Sequence, residues 1–486
     1  MNNFAAMMLH QFLCIAMLFV QILVSVQVLM SVQVLSSGRA SAEDWPYFLG
    51  PRHTGVSGED LKLDWTTKTP PVLWKESIGT GYSAPSVLGQ RLVIHHREGD
   101  QEIVSCRSVE TGKEIWVYAY PSAYRDPYGY NNGPRSSPVL TQDRCFTLGA
   151  EGILACTSMN DGKLLWKKEL QNEFTLPESF FGVGCSPILD DDQLIVMVGG
   201  QPNSGVVSFD VETGDIRWQA VGKDTWDGVK TDQGGKKHKW ADDEMVVSYS
   251  SPIIAEIHGQ KHLLCLMRQG LVSLNPRSGA ENFHYWFRPK VHESVNAARP
   301  VVIGNRIFVS AAYLTGSALL EVDEDGKTYK ELWRDRDNML AHWSTPIHVD
   351  GHIYGFSGRH ENEGELRCIN VQDGKVAWQA SGYDGDLKDL SRDKTTGHVI
   401  DETTGKEIPY PFFGRGGLIQ VGSRFIVLGE RGTISVVDVN KEKFVEHGRF
   451  ARDEIKYPAW AAPVLSEGRM FLRSEDWIVC IDLKAE

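Results

Sequence analysis

The chain has 486 residues, 42% of them hydrophobic and 23% charged, the balance of a globular protein long enough to bury a large core. Its formal net charge of −13 excludes a non-specific nucleic-acid binder, which needs a basic footprint. The one short basic run, Lys236-Lys237-His238-Lys239, reads as a solvated loop.

In chain order, residues 1–42 are expected to be an export signal. From Phe4 to Leu35 there is no Asp, Glu, Lys or Arg, and Ala40-Ser41-Ala42 is a small-x-small cleavage signature before Glu43. The departure is an n-region without Lys or Arg. The apolar stretch is also long enough to span a bilayer, so an uncleaved anchor is the alternative. The expected location is periplasmic or extracellular, with membrane contact only through this segment if it stays uncleaved. Residues 43–70 form an N-terminal extension and residues 71–486 a single repeat domain.

The repeat announces itself through a turn glycine followed four residues later by tryptophan. It occurs at Gly112/Trp116, Gly162/Trp166, Gly214/Trp218 and Gly374/Trp378; Gly279/Phe283 keeps the spacing, and Gly326/Trp333 stretches it by three. Before each stands a small residue or Arg, then Pro, then alternating apolar residues. From Pro85, Pro138, Pro187, Pro252, Pro300 and Pro346 to their turn glycines the distances are 27, 24, 27, 27, 26 and 28 residues. Within a unit the alternation predicts four short strands, with Pro tolerated because it opens the first one. Gly416 to Asp438 is a degenerate seventh unit and Ala462 to Leu483 an eighth that lacks its fourth strand. Pro71-Val72-Leu73-Trp74-Lys75 is expected to supply that strand and close the ring. The fold class is therefore all-β, an eight-bladed propeller of four-stranded blades.

Seven cysteines follow Ala42, an odd number that leaves at least one unpaired in an exported chain. Cys106, Cys156 and Cys368 each fall six residues before a turn glycine and read as small buried hydrophobes. Cys145 and Cys156 flank Gly149-Ala150-Glu151-Gly152 and would face each other across a hairpin, which leaves a strained bridge between them as an alternative to two free thiols.

These units resemble the PQQ (pyrrolo-quinoline quinone) repeat of the quinoprotein alcohol dehydrogenases and of the outer-membrane assembly factor BamB. The resemblance rests on the repeats and on four phrases: Asp44-Trp45-Pro46-Tyr47-Phe48-Leu49-Gly50-Pro51 with Gly55-Val56-Ser57; Gly133-Pro134-Arg135-Ser136-Ser137-Pro138; Gly270-Leu271-Val272; and Val427 to Gly432. It covers about residues 44–484. It implies either a binding scaffold that takes a protein, peptide or polymer on its looped face, or a dehydrogenase using PQQ with Ca²⁺. The dehydrogenases resemble one another in an adjacent Cys-Cys pair, and no two cysteines are adjacent here.

If each unit runs from inner to outer strand, the segments before the prolines lie at the channel mouth. That places Tyr82, Arg135, Arg299, His342, Trp343, Arg415 and Trp460 there, a set suited to an anionic or planar ligand. The plainer alternative is that these residues pack and bridge loops between blades. Insertions at 117–134, 167–183, 219–249 and 379–413 are expected to gather on that face. No metal ligands are assigned: Asp384, Asp386, Asp389 and Asp393 read as a solvated loop, and Glu321 to Leu332 as a hairpin turn rather than a calcium loop.

Overall fold

A computed structural model describes residues 43–484 apart from 178–180, 233–234, 290, 292–293 and 396–397. The export signal or anchor expected over residues 1–42 lies outside the described residues. Eight four-stranded antiparallel meanders follow one another, the first built from Ser86–Leu88, Arg91–Glu98, Gln101–Ser108 and Glu114–Pro121. The last takes Val464–Ser466, Arg469–Arg473 and Trp477–Asp482 from the C-terminus, and Val72–Ser77 as its outer strand, with Trp74 opposite Cys480. This is the ring closure expected from the sequence. A three-stranded meander (Leu390–Arg392, Val399–Asp401, Lys406–Ile408) occupies the insertion after the sixth blade. Among the described residues no helix is long and apolar enough to cross a membrane.

The glycine–tryptophan phrase holds the blades to one another. Trp116 of the first blade packs on the turn of the second, where a Cβ on Gly162 would stand 2.5 Å from the indole. Trp74, Trp166, Trp218 and Trp333 meet Gly112, Gly214, Gly279 and Gly374 in the same way. Each indole N–H donates to the carbonyl three residues before its glycine, or to Asn440 for Trp378, at 2.7–3.1 Å. Two constraints meet on these glycines. Their φ lies near +70°, and their missing side chain leaves room for the ring.

The cysteines complete this arrangement. Cys106, Cys156, Cys368 and Cys480 stand directly across the sheet from Trp116, Trp166, Trp378 and Trp74. All seven described thiols are free and buried, and burial pushes the Cys156 thiol up to about 11. Cys145 pairs with Thr157 and Cys156 with Phe146, so the two sulfurs leave opposite faces of the sheet into different core clusters. The alternation of side chains along a strand thus rules out the bridge.

The N-terminal extension crosses the central channel. Trp45 exchanges backbone hydrogen bonds with Val87 in the first blade at 3.0 and 2.9 Å, and the amide of Leu140 in the second donates to Pro46. After a tight turn in which Tyr47 stacks on His53, Val56–Ser57 pairs in parallel with the inner strand of the seventh blade. Residues 45–57 therefore cap inner-strand edges of the first, second and seventh blades.

Candidate functional site

The segments before the prolines converge on one cup of about 670 Å³, whose floor includes Phe48 and Leu49 of the extension. Stitching at its base is regular. The hydroxyl of Ser186 accepts the amide of Ser137, Ser251 accepts Ser186, and Thr345 accepts Arg299, each one blade to the next. A small hydroxylic residue before Pro is what this contact requires. Arg299 breaks the pattern at the fifth blade.

Of the seven residues expected at the mouth, Tyr82, Arg135, His342, Trp343, Arg415 and Trp460 line the cup. Arg299 does not, and this is a correction: it is buried under the floor, where it donates to the carbonyls of Ser251, Phe48 and His53 and stacks on Phe48. A long side chain at a position built for a small one reaches across the channel and pins the extension.

The two remaining arginines are already paired. Arg415 holds the buried carboxylate of Glu430 at 2.9 Å through Nη2, while its guanidinium lies 4.5 Å over Trp343 and 5.4 Å over Trp460. Glu430 also accepts the indole N–H of Trp460, so one buried acid fixes both partners. Arg135 holds the buried Asp126 at 2.5 Å and lies over Tyr82 and Tyr124. At the rim Arg431 pairs with Glu361. Burial, with Arg415 and Arg359 adding their charge, lowers the pKa of His342 to about 3, so the ring is neutral; its Nδ1 is enclosed with no hydrogen-bond partner.

Sequence reasoning missed most of the aromatic wall. Tyr128 and Tyr130 come from the 117–134 insertion, where Asp126 accepts the amide of Tyr128 and Asn131 that of Gly133 in successive side-chain-closed turns. Phe181, Tyr249 and Tyr457 join them, and neighbouring rings meet at 42–79° (Phe181–Tyr128, Phe181–Tyr249, Tyr457–Trp460) rather than in one plane. The sequence Asp126-Pro127-Tyr128-Gly129-Tyr130-Asn131-Asn132-Gly133 carried that signal in its aromatic and turn residues. By contrast, the 379–413 insertion contributes no lining residue among those described.

The PQQ cofactor implied by the resemblance would bring several carboxylates. Asp126 and Glu430 already occupy Arg135 and Arg415, and Arg299 is committed to the floor, so among the described lining arginines only Arg359 is left for those several carboxylates, and the set expected at the mouth does not fit it.

The model of a repeat family described as outer membrane protein assembly factor BamB matches residues 100–380, more than half of the chain. No curated protein matches the sequence. BamB from Moraxella catarrhalis is similar in fold, with a TM-score of 0.53 at 12% identity over 86% of this chain and 99% of that one. A quinohemoprotein alcohol dehydrogenase from Comamonas testosteroni gives 0.59 at 12% identity over 92% and 82%. Likeness at that identity speaks for the fold alone. With eight four-stranded blades, the matched repeats and these neighbours, the chain belongs to the PQQ-repeat β-propeller family of BamB.

Proposed function

We propose that this protein is a non-catalytic binding propeller working outside the cytoplasm, which captures a segment of a peptide or polymer in its aromatic cup. One observation carries the reading: a closed-floored cup walled by aromatic rings, in which Arg135 and Arg415 are neutralised from within by buried Asp126 and Glu430. Ion pairs of this kind position the rings of Tyr82, Trp343 and Trp460 rather than wait for a ligand's charge. The family's description as an assembly factor supports a scaffold role and an envelope location.

Titration of the chain from Glu43 with PQQ and Ca²⁺, followed by tryptophan fluorescence, tests it. No saturable quenching is expected at tens of micromolar quinone. One-to-one binding, lost on Trp460→Ala with the fold intact, would sink the scaffold reading in favour of a quinoprotein dehydrogenase.

A further inference from the structure

Arg359 stands apart from the other cations of the cup. It sits in the turn between the second and third strands of the sixth blade, half-buried, with its guanidinium 4.6 Å over the ring of Tyr313. Arg135, Arg415 and Arg431 each hold a carboxylate; among the described residues none lies within ion-pair reach of the Arg359 guanidinium. Of the acids in its own turn, Glu361 pairs with Arg431, and Glu363 accepts the backbone amides of Arg359 and His360. Beneath lies the neutral, partly exposed His342, its ring 5.3 Å from that of Tyr313.

The support under Arg359 is itself strained. Tyr313 and Leu314 have φ of 59° and 60°, left-handed backbone that non-glycine residues adopt only under strain. Such strain persists where the surroundings impose it, and here it sets the ring that carries the unpaired cation.

Resting on the binding reading above, we infer that the cup takes the uronic-acid unit of an acidic oligosaccharide, with the sugar carboxylate on Arg359 and the pyranose faces against the aromatic wall. A planar fork aligned by a ring is the geometry that takes a carboxylate bidentately. Tilted rings such as those of Trp343 and Trp460, at 51°, offer faces in several directions, which suits the puckered C–H faces of linked sugars. A peptide is the weaker fit, because peptides are commonly held by strand edges, and here inner-strand edges of the first, second and seventh blades are hydrogen-bonded to the extension.

The test is calorimetric titration of the chain from Glu43 with trigalacturonate and with its neutral methyl ester, in low and high salt. The acid is expected to bind at least tenfold more tightly than the ester, to weaken with salt, and to lose that advantage in Arg359→Gln. Arg359→Lys, which keeps a charge without the fork, should recover only part of it. Equal binding of acid and ester, or an acid preference that survives Arg359→Gln in a folded variant, would overturn the assignment while leaving a binding propeller. So would binding of peptides alone, whereas saturable PQQ binding would remove the binding reading itself.

Discussion

At the scale of single residues, stability is concentrated where a side chain is absent. Gly214 has φ +74°, and a Cβ there would meet the Trp166 ring at 2.9 Å. Gly214→Ala is therefore expected to cost about 1–3 kcal/mol, seen as a lower urea midpoint. Gly89, with φ +56° and nothing within 4 Å, isolates the backbone part of that cost, so Gly89→Ala should be milder. If the two substitutions cost the same, ring packing contributes nothing. Trp166→Phe keeps an aromatic and removes the indole bond to Val211, a loss of about 1 kcal/mol. Glycine and tryptophan were both legible in the sequence. That one is the seat of the other was not, since the pair belongs to different blades.

At the scale of elements, two N-terminal segments act as fasteners. Val72–Ser77 completes the last blade, and its Trp74 docks on the first, so removing residues 43–77 is expected to leave a ring open at a strand edge. Such a variant should associate in size-exclusion chromatography; a monomer with an unchanged melting temperature would refute the fastening role. The extension over residues 45–57 depends on Arg299. Arg299→Met takes the guanidinium from the carbonyls of His53 and Ser251 and leaves that of Phe48 only the His53 ring at 3.4 Å, a cost of about 2–3 kcal/mol. Limited proteolysis should then cut within residues 45–57 first, and equal cleavage of both forms would contradict the pin. The closing strand could be anticipated because it repeats the family phrase. The plug could not, because its contacts run to blades distant in sequence.

At the scale of the whole molecule, acid sensitivity follows from three histidines that the fold desolvates, His96 fully buried and His53 and His342 partly. Burial lowers the pKa of His53, His96 and His342 to about 3 each, with neighbouring arginines adding to it. In the unfolded chain they protonate near pH 6.5, in the folded one only near pH 3. Their neutral forms thus favour the fold fully above about pH 6.5, and the contribution is lost as pH falls towards 3, at about 1.4 kcal/mol per pH unit for each ring. Urea midpoints measured from pH 7 to pH 4 should fall, and His96→Gln should flatten the slope. A midpoint independent of pH would refute the assignment.

The sequence by itself determined the eight blades, their order and the closing strand, because strand periodicity, turn glycines and docking tryptophans are local signals repeated at a fixed spacing. It also located six of the cup residues: Tyr82, Arg135, Trp343 and Trp460 each stand three residues before a proline, His342 adjoins Trp343, and Arg415 opens the seventh unit. Only the tertiary structure decided what those residues do. Whether an arginine faces a ligand, an internal acid or the floor depends on partners that folding alone sets against it: Asp126 from Arg135's own loop, Glu430 from the next turn of Arg415's own blade, and for Arg299 carbonyls of the N-terminal extension about 250 residues away.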